Sequence, residues 1–123
     1  NETRFISKSI NRSLIGSPIS ITQNRLMDFI YVEDLCKLIE HYLNNFIDKD
    51  LYRDVNVCYN KKYDLKGISK KILSSMELPI DNNIQYEKKG FFRAYTGDGK
   101  RFDSFNLDLV GLDNGIKKVI NER

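Results

Sequence analysis

Residues 24–35 read NRLMDFIYVEDL. An aromatic, β-branched run, Asp28 to Val32, ends in two acids, Glu33 and Asp34, and passes straight into an apolar periodicity. Leu35, Leu38, Ile39, Tyr42, Leu43 and Phe46 recur at steps of three and four, which predicts an amphipathic helix with this stripe on a core. Glu33 and Asp34 fall in its first turn, where the helix dipole favours negative charge. The stretch therefore reads as an extended run feeding a helix, with Arg25 at its upstream edge. Ligands gather at the strand ends of α/β sheets. Arg25 has two readings: it reaches an anionic ligand from there, or it pairs with Asp28 or Glu33. Chemistry alone favours the pairing.

The flanking sequence supplies further elements. Upstream, Glu2 to Ile15 predicts a helix with Ile6, Ile10 and Leu14 on one face, stopped by Gly16-Ser17-Pro18. Ile19 to Thr22 alternates as a short strand. Downstream, Asp54 to Tyr59, DVNVCY, predicts a buried strand. Asp64 opens a helix with Leu65, Ile68, Ile72, Leu73 and Met76 inward, and Pro79 lies beyond its end. Ile84 to Tyr86 reads as a short strand, Gly90 to Arg101 as a glycine-rich loop, and Asp103 to Leu109 as a short turn of helix. Leu112, Ile116, Val119 and Ile120 make a last amphipathic helix. This order predicts an α/β fold, α+β in isolation, with helices packed on a few short strands. The strands are too few for a large parallel sheet, and some are expected to pair with a sheet outside this chain.

A length of 123 residues is one domain's worth, and 41% hydrophobic with 11% aromatic residues marks a folded globule. The net charge of +3 arises from scattered basic pairs such as Lys61-Lys62 and Lys117-Lys118, not from a stripe, so no nucleic-acid partner is expected. No apolar run approaches a membrane span, no leader is evident, and a cytoplasmic location with no membrane partner is expected. Cys36 and Cys58 each lie in an apolar stretch and read as two buried, reduced thiols. With Asn1 in place of an initiating Met, the chain is expected to be a piece of a longer protein.

Most catalytic constellations are missing. His41, the only histidine, lies off the apolar stripe as a surface residue, which leaves no Ser-His-Asp set and no zinc site. No G-x-G-x-x-G follows a strand, and there is no phosphate-binding Walker loop. The segment Gly97 to Arg101, GDGKR, admits two readings: a loop whose N–H groups and two cations hold a phosphate, or an ordinary turn with exposed charges.

Taken together, these segments resemble the C-terminal part of the extended short-chain dehydrogenase/reductase family, the NAD(P)-dependent sugar-nucleotide epimerases, dehydratases and reductases. DFIYVEDL, residues 28–35, is similar to the family's RDFIYVDDL and follows a helix and the short PISIT strand in the family's order. Residues 54–73 resemble its YNVGSGKEISIRELAELI region. Residues 95–102, YTGDGKRF, resemble the loop before its D-x-S-K, and residues 111–120, GLDNGIKKVI, its closing SLEEGIKKTI helix. The likeness covers nearly the whole chain. It implies a division of labour: an N-terminal Rossmann half binds NAD or NADP and carries the Tyr-x-x-x-Lys pair, while this part supplies the substrate pocket. Tyr59 and Lys62 are one residue too close for that pair, and Tyr63 meets Gly67. No catalytic, cofactor-binding or metal residue is therefore assigned to this chain, which alone is expected to be inactive.

For substrate binding, the resemblance implies an arginine immediately before Asp28, where this sequence has Met27. Arg25 lies on the same face of an extended run but about 7 Å away. A second family arginine is matched by Arg101, whose guanidinium fork suits a pyrophosphate. Asp98 has two readings, a hydrogen bond to a ribose or sugar hydroxyl and the start of a turn. The expected ligand is a nucleotide-diphosphate sugar, held by Arg101, Arg25 and Asp98. In isolation the chain is expected to expose an apolar face that the missing half covers, which leaves a homodimer open. The other class of function is a free-standing module that binds a nucleotide, sugar or protein and catalyses nothing.

Overall fold

The structure is a computed structural model that describes residues 4–123. The expected start of the first helix at Glu2 lies outside the described residues. Helix α1, Phe5–Leu14, buries Ile10 and ends in the motif its sequence announces. Gly16 adopts φ +78°, its N–H donates to Ser13 O, and Ser17 N–H donates to Arg12 O. These two bonds satisfy carbonyls that the helix end would otherwise leave open.

Strand β1, Ile19–Asn24, buries Ile19 and Ile21 and pairs in parallel with strand β2, Ile84–Phe91. A parallel pair needs a long crossover. Here it contains helix α2, Val32–Asn44, and helix α3, Leu65–Ser75. Helix α4, Lys100–Ser104, and helix α5, Gly111–Asn121, follow β2. Helix α3 touches α1, β1 and α5, and the core lies between them: Ile10, Ile19, Ile21, Ile68, Ile72, Leu112 and Ile116. Asp64 caps α3 as its sequence predicts, accepting from Gly67 N–H at 2.6 Å. Buried Asn24, at the end of β1, seals the same corner by donating to Asp64 and accepting from Lys66 N–H. Among the described residues no helix is long and apolar enough to cross a membrane.

Several expected elements take other forms. Asp54 to Tyr59 is not a buried strand: only Cys58 is buried, and no strand pairs with it among the described residues. Apolar alternation there has no neighbouring backbone to satisfy. The run from Asp28 likewise makes no strand, with isolated bridges only upstream, Leu26 to Asp64 and Met27 to Tyr95. Strand β2 runs five residues beyond the expected Tyr86 because β1 offers it a partner. The helical turn expected from Asp103 begins earlier, as α4. Helix α2 forms as expected, but only part of its stripe packs. Leu38 is buried, whereas Leu43 is 69% and Phe46 78% exposed. Cys36 shares the outward side and is exposed, contrary to its expected burial.

Candidate functional site

The DFIYVED segment ties distant parts of the chain together. Asp28 accepts from Lys62 Nζ at 2.8 Å through one oxygen and from Gly97 N–H at 2.6 Å through the other. Burial alone would lower the pKa of the Lys62 ammonium, but the Asp28 carboxylate outweighs it and leaves the group above its ordinary value. Tyr31 donates its N–H to the Tyr59 hydroxyl, which donates to Asp34 Oδ2 at 2.5 Å. Asp34 is completely buried. Its two oxygens also accept from Val110 N–H at 2.8 Å and Gly111 N–H at 2.9 Å. These are donors at the start of α5 that no helical carbonyl can reach. Asp34 thus caps a helix some seventy-five residues downstream.

Burial, reinforced by the bond to Asp34, pushes the Tyr59 phenol well above its ordinary value of 10.0. A folded-state pKa above the unfolded one favours folding fully below about pH 10 and progressively less above it. The chain should therefore lose stability steeply above pH 10. Tyr59→Phe should flatten that loss by up to about 1.4 kcal/mol per pH unit, while weakening the fold at neutral pH. Urea midpoints between pH 8 and 11 test this; parallel curves for the two chains would refute it.

Above this framework opens a cavity of about 1050 Å³, between α1, β1, residues 27–32 and α5. Its walls are largely apolar, with Phe5, Met27, Phe29, Leu112 and Ile116 among them. Four cations line it: Arg4 and Lys8 from α1 and its edge, Arg25 after β1, and Lys88 in β2. Among the described residues the only lining carboxylate is Asp28, already held by Lys62 and Gly97. An apolar chamber rimmed by four cations suits an anion that carries a flat or apolar body.

The three residues singled out in the sequence are not brought together. Arg25 lines the cavity and, contrary to the expected pairing, has no ion-pair partner among the described residues, since Lys62 has taken Asp28. Arg101 and Asp98 lie off the cavity. Arg101 donates to Asp54 O at 2.8 Å and sits 4.6 Å from the Tyr52 ring centre. Asp98 accepts from Lys100 N–H at 2.9 Å, which is its turn-forming reading. The N–H groups of Gly97 and Lys100, which a phosphate would need, thus go to Asp28 and Asp98. This loop packs tightly on residues 58–60: a Cβ on Gly99 would come within 2.8 Å of Cys58 O and Asn60 N. Among the described residues no three potential metal ligands cluster. Sequence reasoning missed Lys88, Arg4 and Lys8. The last two stand four residues apart, a spacing that puts both on one helix face.

No protein-family model matches this sequence, and no curated protein matches it. The fold does have a counterpart. A crystal structure of dTDP-glucose 4,6-dehydratase from Bacillus anthracis, in complex with NAD, aligns with a TM-score of 0.67 at 14% identity. The alignment covers 96% of this chain and 38% of that one. The fold is that of part of this dehydratase. The small parallel sheet with its flanking helices is an α/β fold consistent with part of a Rossmann-type dehydratase, and the chain spans well under half the length of that enzyme.

Proposed function

We propose that this chain is the nucleotide-sugar-binding part of an NAD(P)-dependent sugar-nucleotide epimerase, dehydratase or reductase. The cation-rimmed cavity carries this reading, and a fold shared with part of a dTDP-glucose dehydratase supports it. Residues 1–123 act as one domain of a larger enzyme. The cofactor site and the residues that exchange hydride with a sugar carbon lie in the other half. In this reading Arg25 and Lys88 take the diphosphate, the apolar floor takes the body of the ligand, and the loop bearing Asp98 and Arg101 braces residues 54–60. The exposed side of α2 is the surface that the cofactor-binding half covers.

Calorimetric titration with dTDP-, UDP-, GDP- and CDP-glucose tests the assignment, with free glucose as control. Nucleotide sugars should bind, more weakly as salt rises. Lys88→Gln should cost about tenfold or more in affinity, the loss of one charge-assisted hydrogen bond. A chain that ignores all four nucleotide sugars, or that takes free glucose as readily, would not be this domain.

A further inference from the structure

Arg25 directly follows β1, and its guanidinium carbon lies 5.9 Å from the centre of the Phe92 ring, both groups lining the cavity. A regular ladder would not produce this meeting. The strands keep register from Ile19 opposite Ile84 to Gln23 opposite Lys88, and then Asn24 pairs with Phe91. Strand β1 advances by one residue and β2 by three, so Lys89 and Gly90 bulge out. Gly90 has φ +80°, and a Cβ there would meet nothing within 4 Å; the glycine serves the backbone conformation, not space. Gln23 Nε2 pins the bulge by donating to Lys89 O at 3.0 Å. Beyond it, Phe92 N–H donates to Asn24 O at 2.8 Å, beside the peptide that leads into Arg25. Without the bulge Phe92 would stand opposite residue 27, about 7 Å further along.

The ring is a fitting partner for a ligand-binding arginine. A carboxylate would occupy the guanidinium N–H groups, whereas an aromatic face attracts the cation and leaves those donors open to phosphate oxygens. Resting on the diphosphate reading above, the geometry points to Phe92 as a positioning residue: delivered by the Lys89–Gly90 bulge, its ring holds the Arg25 guanidinium at the cavity as a phosphate-binding group.

Titration of the whole chain with inorganic pyrophosphate and with UDP tests this. Arg25→Gln should weaken both ligands about tenfold or more. Phe92→Leu should weaken both about three- to fivefold, and Phe92→Tyr should restore binding, since only the aromatic face attracts the cation. In the Arg25→Gln background Phe92→Leu should have no further effect. Phe92 is half exposed, and circular dichroism checks that each variant keeps the fold. Additive losses in the double variant, or a silent Phe92→Leu beside a weakened Arg25→Gln, overturn the positioning role alone. A silent Arg25→Gln overturns the role of Arg25. If Lys88→Gln is silent as well, the cavity is not a phosphate site and the proposed function falls with it.

Discussion

Replacing Asp34 by alanine should lower the stability of the chain by about 3–5 kcal/mol, because it leaves two helix-start N–H groups and the Tyr59 hydroxyl without their acceptor. The corresponding fall in the thermal midpoint is about 10 °C or more. Asp34→Asn keeps one acceptor oxygen but turns an amide NH2 toward donors, so it should be intermediate. Urea unfolding followed by circular dichroism reads both values, and a loss under about 1 kcal/mol for the alanine would show that the network is dispensable. The change should reach the cavity as well. Helix α5 supplies Leu112, Gly115 and Ile116 to its wall, and its first turn is anchored by Asp34. Nucleotide-sugar affinity should therefore fall in Asp34→Ala although the residue touches no ligand.

Gly115→Ala should destabilise the chain by about 2 kcal/mol, against the roughly 1 kcal/mol that alanine gains over glycine inside a helix. An added Cβ would lie 2.7 Å from Tyr31 Cγ and 2.9 Å from Tyr31 Cβ and Cδ1. The Tyr31 ring cannot step aside cheaply: the residue is buried, and its own N–H is bonded to Tyr59. Overpacking therefore outweighs helix propensity. The same substitution made in a Tyr31→Ala background should cost less, since the ring carbons are gone and only the Cβ contact at 2.9 Å still opposes the propensity gain. A Gly115→Ala chain at least as stable as the parent would show that the α5–Tyr31 contact yields freely.

Legibility followed the range of the interactions. Helices α1, α3 and α5 were readable because their signals sit within a few residues: the Gly16 stop, the Asp64 cap, the apolar steps of three and four. Strand status was less readable. Asp54 to Tyr59 has a strand-like pattern and no strand partner among the described residues, while charged IQYEKKGF is a strand because β1 lies beside it. In α2 the periodicity was legible, but which of its apolar residues are buried depends on neighbours the stripe does not encode. At the candidate site Arg25 was visible as a cation at a strand end. Lys88 and Phe92 were not, because a parallel crossover and a two-residue bulge bring them there.

The sequence by itself determined helices α1, α2, α3 and α5, the Gly16 stop, the Asp64 cap and the α/β class, since these rest on periodicity and short-range hydrogen bonding. Only the tertiary structure decided what DFIYVEDL does. Asp28 and Asp34 serve Lys62, Gly97 and the start of α5, partners dozens of residues away, and a buried carboxylate takes whichever donors folding brings to it. The same holds for the cations. Arg25 shares the cavity with Lys88, not with Arg101, because register and loop closure place charges in space and sequence spacing does not.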